Sequence, residues 1–252
     1  MPYTLLRNAT AILETGGHRF LIDPALDPVG ARPPVPNTPN QRPNPLVEMP
    51  NGWETTVTSA EALIVTHTHM DHWDQTAAGM LDRQLPLFCQ PEDIQKMADA
   101  GFDDIRPVES REEFGGVSLI RTAGHHGTGD IGKAMAPVSG FVFTASGDST
   151  VYVAGDTIWC DEVAEAISTH SPDVIVINAS GARFLQGDPI VMTAVDIARV
   201  QQAAPSALII VVHLEAINHC LETRSCYRET LPALGVNMGQ LRIPEDGEQI
   251  GW

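Results

Sequence analysis

Short apolar runs, each closed by a polar or histidine position, organise this chain. Ala11-Ile12-Leu13 and Arg19-Phe20-Leu21-Ile22-Asp23 flank a Gly16-Gly17 turn, which predicts a β-hairpin near the amino terminus. Ala62 to Thr66 is a continuous apolar run of strand length that meets His67 at once, as expected of a buried strand feeding a loop. Val117 to Arg121, Gly140 to Phe143 and Thr150 to Ala154 predict further strands, the last running into Gly155-Asp156. A short helix over Asp93 to Ala100 stops at Gly101. Helices from about 161 to 169 and from about 193 to 203 precede strands over Asp173 to Asn178 and Ala207 to Val212, and the second of these strands ends at His213. Strands interleaved with helices after a hairpin-rich start predict sheets covered by helices. No fixed-period repeat stands out, although both halves place hairpin strands before alternating units.

One segment breaks this alternation. Nine of the nineteen prolines fall between Pro24 and Pro50, interleaved with Asn, Arg and Gly, so neither a helix nor a central strand persists there. A long loop is predicted, either a surface insertion or, because it leaves the strand before the first histidine cluster, a border of the functional cleft.

Composition narrows the class. At 252 residues, 43% hydrophobic and 19% charged, the chain suits one globular domain over residues 1–252 with a core that needs no staples. The net charge of -17 and the lack of a Lys/Arg cluster argue against nucleic acid and anionic membranes as partners. No apolar run reaches membrane-spanning length, and the first ten residues do not read as a signal peptide, so a soluble, cytoplasmic protein is expected. The expected partner is a small-molecule substrate, with homo-oligomerisation left open. Cys89, Cys160, Cys220 and Cys226 form no Cys-x-x-Cys pair, which predicts free thiols rather than disulfides or a thiolate zinc site.

Seven of the nine histidines lie in three short segments just beyond strand-like runs: His67, His69 and His72; His125 and His126; His213 and His219. In Thr66-His67-Thr68-His69-Met70-Asp71-His72, positions 67 and 69 share one side of an extended backbone, and both imidazoles can meet one cation. A turn through Met70 then presents Asp71 and His72 to a neighbouring position. A lone His-x-His is more often an ordinary hydrogen-bonded pair. Four ligand-type residues in six positions at a strand end are not, and imidazole and carboxylate donors suit zinc, iron or manganese.

These residues resemble the hallmark His-x-His-x-Asp-His of the metallo-β-lactamase superfamily, met by His67, His69, Asp71 and His72. The family pattern continues with a histidine after a strand (His125 or His126), an aspartate after a later strand (Asp156) and a final histidine (His213). The resemblance covers nearly the whole chain and implies an α/β fold, a four-layer αββα sandwich with two divalent metal ions in its cleft, zinc foremost and manganese or iron as alternatives. It puts His67, His69 and one of the doublet on the first metal, Asp71, His72 and His213 on the second, and Asp156 across both. Gly124-His125 fits one family variant and His126-Gly127 another, with His126 favoured. The His126-Gly127 step, the length and the segment Val212 to His219 look like the branch typified by ascorbate-6-phosphate lactonase. His125 and His219 are left as candidates for outer positions or substrate contact, His219 at the start of a helix capped by Asn218.

Such a site implies hydrolysis. Two cations acidify a shared water and polarise a carbonyl or phosphoryl oxygen, and Asp71 would orient the nucleophile and accept its proton. A lactone or ester-type substrate is expected first. A phosphodiesterase of small or cyclic nucleotides uses the same geometry; an iron-dependent oxygenase and a noncatalytic metal-holding module are disfavoured by the complete ligand set.

Overall fold

The computed structural model describes residues 1–252 as two seven-stranded sheets packed face to face with helices outside both. Strands β1 (Pro2–Arg7), β2 (Thr10–Thr15), β3 (His18–Ile22), β4 (Ala62–Val65), β5 (Leu87–Cys89) and β6 (Ile105–Pro107) build the first sheet in chain order. The second holds β7 (Arg111–Phe114), β8 (Val117–Ala123), β9 (Ser139–Ala145), β10 (Val151–Val153), β11 (Val174–Asn178), β12 (Leu208–Val212) and β13 (Leu241–Arg242). The chain end then returns as β14 (Gln249–Gly251), antiparallel to β1. Each sheet opens with antiparallel strands and becomes parallel, from β3 to β6 and from β10 to β13.

Continuous apolar runs fit this arrangement because parallel strands are covered on both faces. Every residue of β4 and β11 is buried. Between the sheets, Phe20, Ile64, Phe141, Phe143, Val176 and Val212 belong to one core, and the Phe20 and Phe143 rings meet edge-on at 5.5 Å. Helices α1 (Trp53–Thr58), α2 (Gln75–Met80) and α3 (Ile94–Asp99) cover the first sheet. After the short α4 (Gly129–Met135), helices α5 (Asp161–His170), α6 (Ala194–Ala203) and α7 (Arg224–Ala233) cover the second. Helix α5 shows why: Val163, Ala166 and Ile167 recur at helical spacing and are its buried face. Four layers result, the αββα sandwich.

The predicted hairpin is β2 and β3, paired from Ala11–Ile22 to Thr15–His18. Between Pro24 and Pro50 the only pairing is an isolated bridge from Arg32 to Asn44. No helix is long and apolar enough to cross a membrane. All four cysteines are free, Cys89 buried and the others partly so.

Candidate metal centre

The ligand-type residues stand on loops that leave the carboxyl ends of β4, β8, β10 and β12, where α/β sheets open a crevice. After β4, the amides of His72 and Trp73 both donate to the His69 carbonyl at 2.9 Å, so a tight turn brings Asp71 and His72 back beside His67. Asp156 follows Gly155, whose φ of 69° is left-handed and where a Cβ would collide with the Ser139 carbonyl oxygen. His213 itself adopts a left-handed φ of 69°, fixed by its amide donating to Asn8 O at 2.9 Å. A strained backbone at a candidate ligand is characteristic of a site held by its surroundings.

Two groups of donor atoms converge, each with all members within 4.8 Å of one another: His67, His69 and His126, and Asp71, His72, Asp156 and His213. His67 Nε2 lies 2.9 Å from His69 Nδ1. Asp156 Oδ2 stands between the groups, 3.4 Å from His126 Nε2 and 3.2 Å from His72 Nε2. Despite that proximity, His72 Nε2 is buried with no well-directed hydrogen bond. A buried nitrogen without a directed partner, in a knot of imidazoles and carboxylates whose lone pairs face inward, is the arrangement a divalent cation satisfies. The residues therefore fit the metals implied by the sequence.

Outer contacts hold each donor. Asp23 accepts from the Thr66 amide and hydroxyl at 2.7 Å and lies 2.8 Å from His72 Nδ1, leaving Nε2 for the interior. His126 Nδ1 bonds the Ile190 carbonyl at 2.7 Å, and Asn178 donates to Asp156 Oδ1 at 2.7 Å. Such partners set tautomer and ring orientation. None was among the sequence candidates. Asp23 carried a usable signal, since it too ends an apolar run; Asn178 ends another.

Electrostatics divides the two groups. Burial, reinforced by neighbouring imidazoles, pushes His67 well down and His69 to about 4. His126 is lowered mainly by burial. In the other group, burial also opposes charge, but Asp156, Asp23 and Asp71 outweigh it and hold His72 at about 10; Asp156 foremost likewise holds His213 well above the ordinary value. Burial raises Asp71 and Asp156, yet His72 and His213 pull both well below the carboxylate range.

Comparison with known proteins gives this geometry its relatives. The family pattern described as a beta-lactamase superfamily domain matches residues 18–214. This chain belongs to that superfamily. Over 251 residues it is 36% identical to the UPF0173 protein YddR of Bacillus subtilis (strain 168), spanning 98% of each chain, so it is a UPF0173 member. It is similar, at TM-score 0.95 and 35% identity over 99% of this chain and 98% of the other, to a possible metal-dependent hydrolase from Veillonella parvula DSM 2008. It is also similar to an isothiocyanate hydrolase from Delia radicum gut bacteria, at TM-score 0.94 and 32% identity over 100% and 99% of the two chains.

In this UPF0173 protein the two donor groups open on a cavity of about 480 Å³ walled by Pro33, Val35, Met135, Phe184 and Ile217, with His69, Asp71, His126 and Asp156 at its polar end. The proline-rich segment thus borders the cleft. Arg32, the one Arg or Lys of the lining, is paired with Asp27 at 2.9 Å and donates to the Met70 carbonyl. His125 is not brought to the cluster; its half-exposed ring bonds Glu162 at 2.8 Å. His219 does line the cavity, but the helix expected to begin there does not form. Asn218 spends its side chain on Val35, Thr38 and Asn44 instead of capping, and α7 starts later with Thr223 as its cap.

Proposed function

We propose that this protein is a metal-dependent hydrolase that adds water to the electrophilic carbon of a small, uncharged, largely apolar substrate, an isothiocyanate first and a lactone or ester-type carbonyl second. The observation that carries the reading is an apolar cleft whose polar end is the double donor cluster and whose single arginine is already paired. The one basic side chain that a phosphodiester, or a lactone bearing a phosphate, would meet there is Arg32, whose charge Asp27 already offsets at 2.9 Å, which weighs against the phosphodiesterase and against a sugar-phosphate lactone. The similarity to an isothiocyanate hydrolase over the whole chain favours the first substrate; the lactone-like segments of the sequence favour the second.

His67, His69 and His126 would hold one divalent cation, zinc foremost, Asp71, His72 and His213 a second, and Asp156 would touch both. When bound, such a pair supplies Lewis acidity and acidifies water. Asp71 sits half-buried at the cavity, with Oδ2 3.2 Å from His213 Nε2 and no protein hydrogen bond at Oδ1. Oδ1 is therefore free to orient the attacking water and take its proton. For an isothiocyanate, the water oxygen bonds the central carbon, the C=N π pair moves to nitrogen, and the proton passes from Asp71 to that nitrogen. Water has then added across the bond to give an N-substituted thiocarbamic acid.

Initial rates on one zinc-loaded preparation with benzyl isothiocyanate, γ-butyrolactone and bis(p-nitrophenyl) phosphate test this, with His67→Ala as blank. Turnover of either of the first two above that blank supports the reading and ranks them. Phosphodiester turnover alone overturns it.

A further inference from the structure

His219 is absent from both donor groups, yet it lies in the same cavity wall as His69, Asp71, His126 and Asp156. It is only 6% exposed. Its Nδ1 is buried with no hydrogen-bond partner, and Nε2, which has none from the protein either, is the ring nitrogen not sealed from the cavity. A buried imidazole with both nitrogens unpaired is costly, and such a cost persists where a ligand completes the bonding.

The backbone is built to keep it there. On one side, Asn218 accepts from Val35 N at 2.9 Å and from Asn44 Nδ2 at 2.7 Å, donates to Thr38 Oγ1 at 2.7 Å, and its own amide donates to Asn44 Oδ1 at 2.8 Å. On the other, the His219 carbonyl accepts from Arg183 N at 3.3 Å, and the Leu221 and Glu222 amides donate to Ser180 O. The imidazole is thus fixed from both flanks, and the segment that walls the cleft is anchored at the residue next to it.

We propose that His219 is a substrate-contacting residue that donates a hydrogen bond from Nε2–H to the heteroatom gaining the electron pair as water adds. The proposal rests on the hydrolytic reading above. Two features make the ring a neutral donor. No acceptor faces Nδ1, so a proton there would be an orphan and belongs on Nε2. Burial, with His213 and His126 adding to it and Asp71 and Asp156 opposing, pushes the imidazole down to about 4, so it carries no charge at neutral pH. A fixed, uncharged N–H in an apolar-walled cleft stabilises developing negative charge without first having to lose a proton.

The test compares wild type, His219→Phe and His219→Gln after equal zinc loading. Phe keeps a ring and removes the donor; Gln restores an N–H. All three should match in metal content and melting transition. For whichever substrate the wild type turns over, Phe should lower kcat ~10²–10³-fold, the loss expected of one oxyanion-type donor, with KM little changed. Gln should regain at least about tenfold. The pH profile of Phe between 5 and 9 should keep the wild-type shape, because a neutral ring does not titrate there. Thiocyanate, a linear anion with the N–C–S skeleton, should bind the Phe variant about tenfold more weakly, as for a lost hydrogen bond to a charged group. That arm decides the role of His219 even if no substrate of the panel is hydrolysed, an outcome that would sink only the hydrolytic reading. Equal thiocyanate affinity, equal kcat in Phe and wild type, or Phe and Gln equally impaired overturns the proposal, as does loss of an acidic limb in the Phe profile.

Discussion

At the scale of single residues, the two donor groups differ in what they must give up to accept a cation. His67, His69 and His126 are held low and are neutral at pH 7.5, so their lone pairs are available. His72, held at about 10, and His213, held high, are protonated there and must lose those protons. Loading metal-free protein at pH 7.5 should therefore release about two protons per chain, one each from His72 and His213, and the His72 share should vanish as pH rises past about 10. Calorimetric titration in buffers of different ionisation enthalpy measures the count, and a value near zero at pH 7.5 contradicts this electrostatic picture. Asp156 makes a second residue-scale case. Its Oδ2 reaches a histidine of each group, whereas His126 belongs to one and His125 to neither. Elemental analysis should find the largest metal loss in Asp156→Ala, an intermediate loss in His126→Ala and none in His125→Ala.

At the scale of elements, the parallel strands and the proline-rich segment do different work. Strands β4, β10 and β12 end where a donor begins, so their apolar runs set the depth at which each ligand leaves the sheet. The proline-rich segment has almost no pairing of its own, and Asn218 ties its middle part, Val35, Thr38 and Asn44, to the cavity wall. Asn218→Ala would leave Val35 N, Asn44 Nδ2 and Thr38 Oγ1 each without this buried partner, at about 1–3 kcal/mol for each group that water does not reach. Urea denaturation should show a stability loss of that order. Limited proteolysis should cut the variant first between residues 33 and 44. A wild-type cleavage pattern would show that the segment is held by its own packing.

For the whole molecule, the facing sheets share one core, with Phe143 from the second sheet touching Phe20 of the first. The donors also come from both sheets: His67 to His72 follow β4, while His126, Asp156 and His213 follow strands of the other sheet. Assembling the donor cluster therefore requires both halves to fold together. Phe143→Ala should cost about 3–5 kcal/mol, a cavity at the junction of the sheets. Circular dichroism and tryptophan fluorescence should still report one coincident unfolding transition. Two separated transitions would show the sheets to be independent units.

The ligand types were legible in the sequence because the family's chemistry is written locally. Four of them fall within six positions, and the others each follow an apolar run that any strand must show. The buried strands that lead to those residues, β4, β10 and β12 among them, were legible for the same reason. Strands β5, β6, β13 and β14, of two or three residues each and not followed by a ligand-type residue that would mark their ends, were not, since so few positions carry no period. Helix α7 was hidden by a polar, proline-containing sequence that buries Arg224, Tyr227 and Leu231. What only the tertiary structure decided was which side chains meet across sequence distance. Parallel pairing of Ile22 with Ile64 sets Asp23 beside Thr66 and His72, and no local signal encodes a partner 49 residues away. The choice of His126 over His125 for the cluster turned on the direction of one turn, which sends His125 out to Glu162 and His126 in against Ile190. The place of His219 likewise depended on Asn218 holding the proline-rich segment rather than capping a helix. Local sequence specifies which donors exist and where strands end; the pairing of sheets and the packing of loops specify which of those donors face one another.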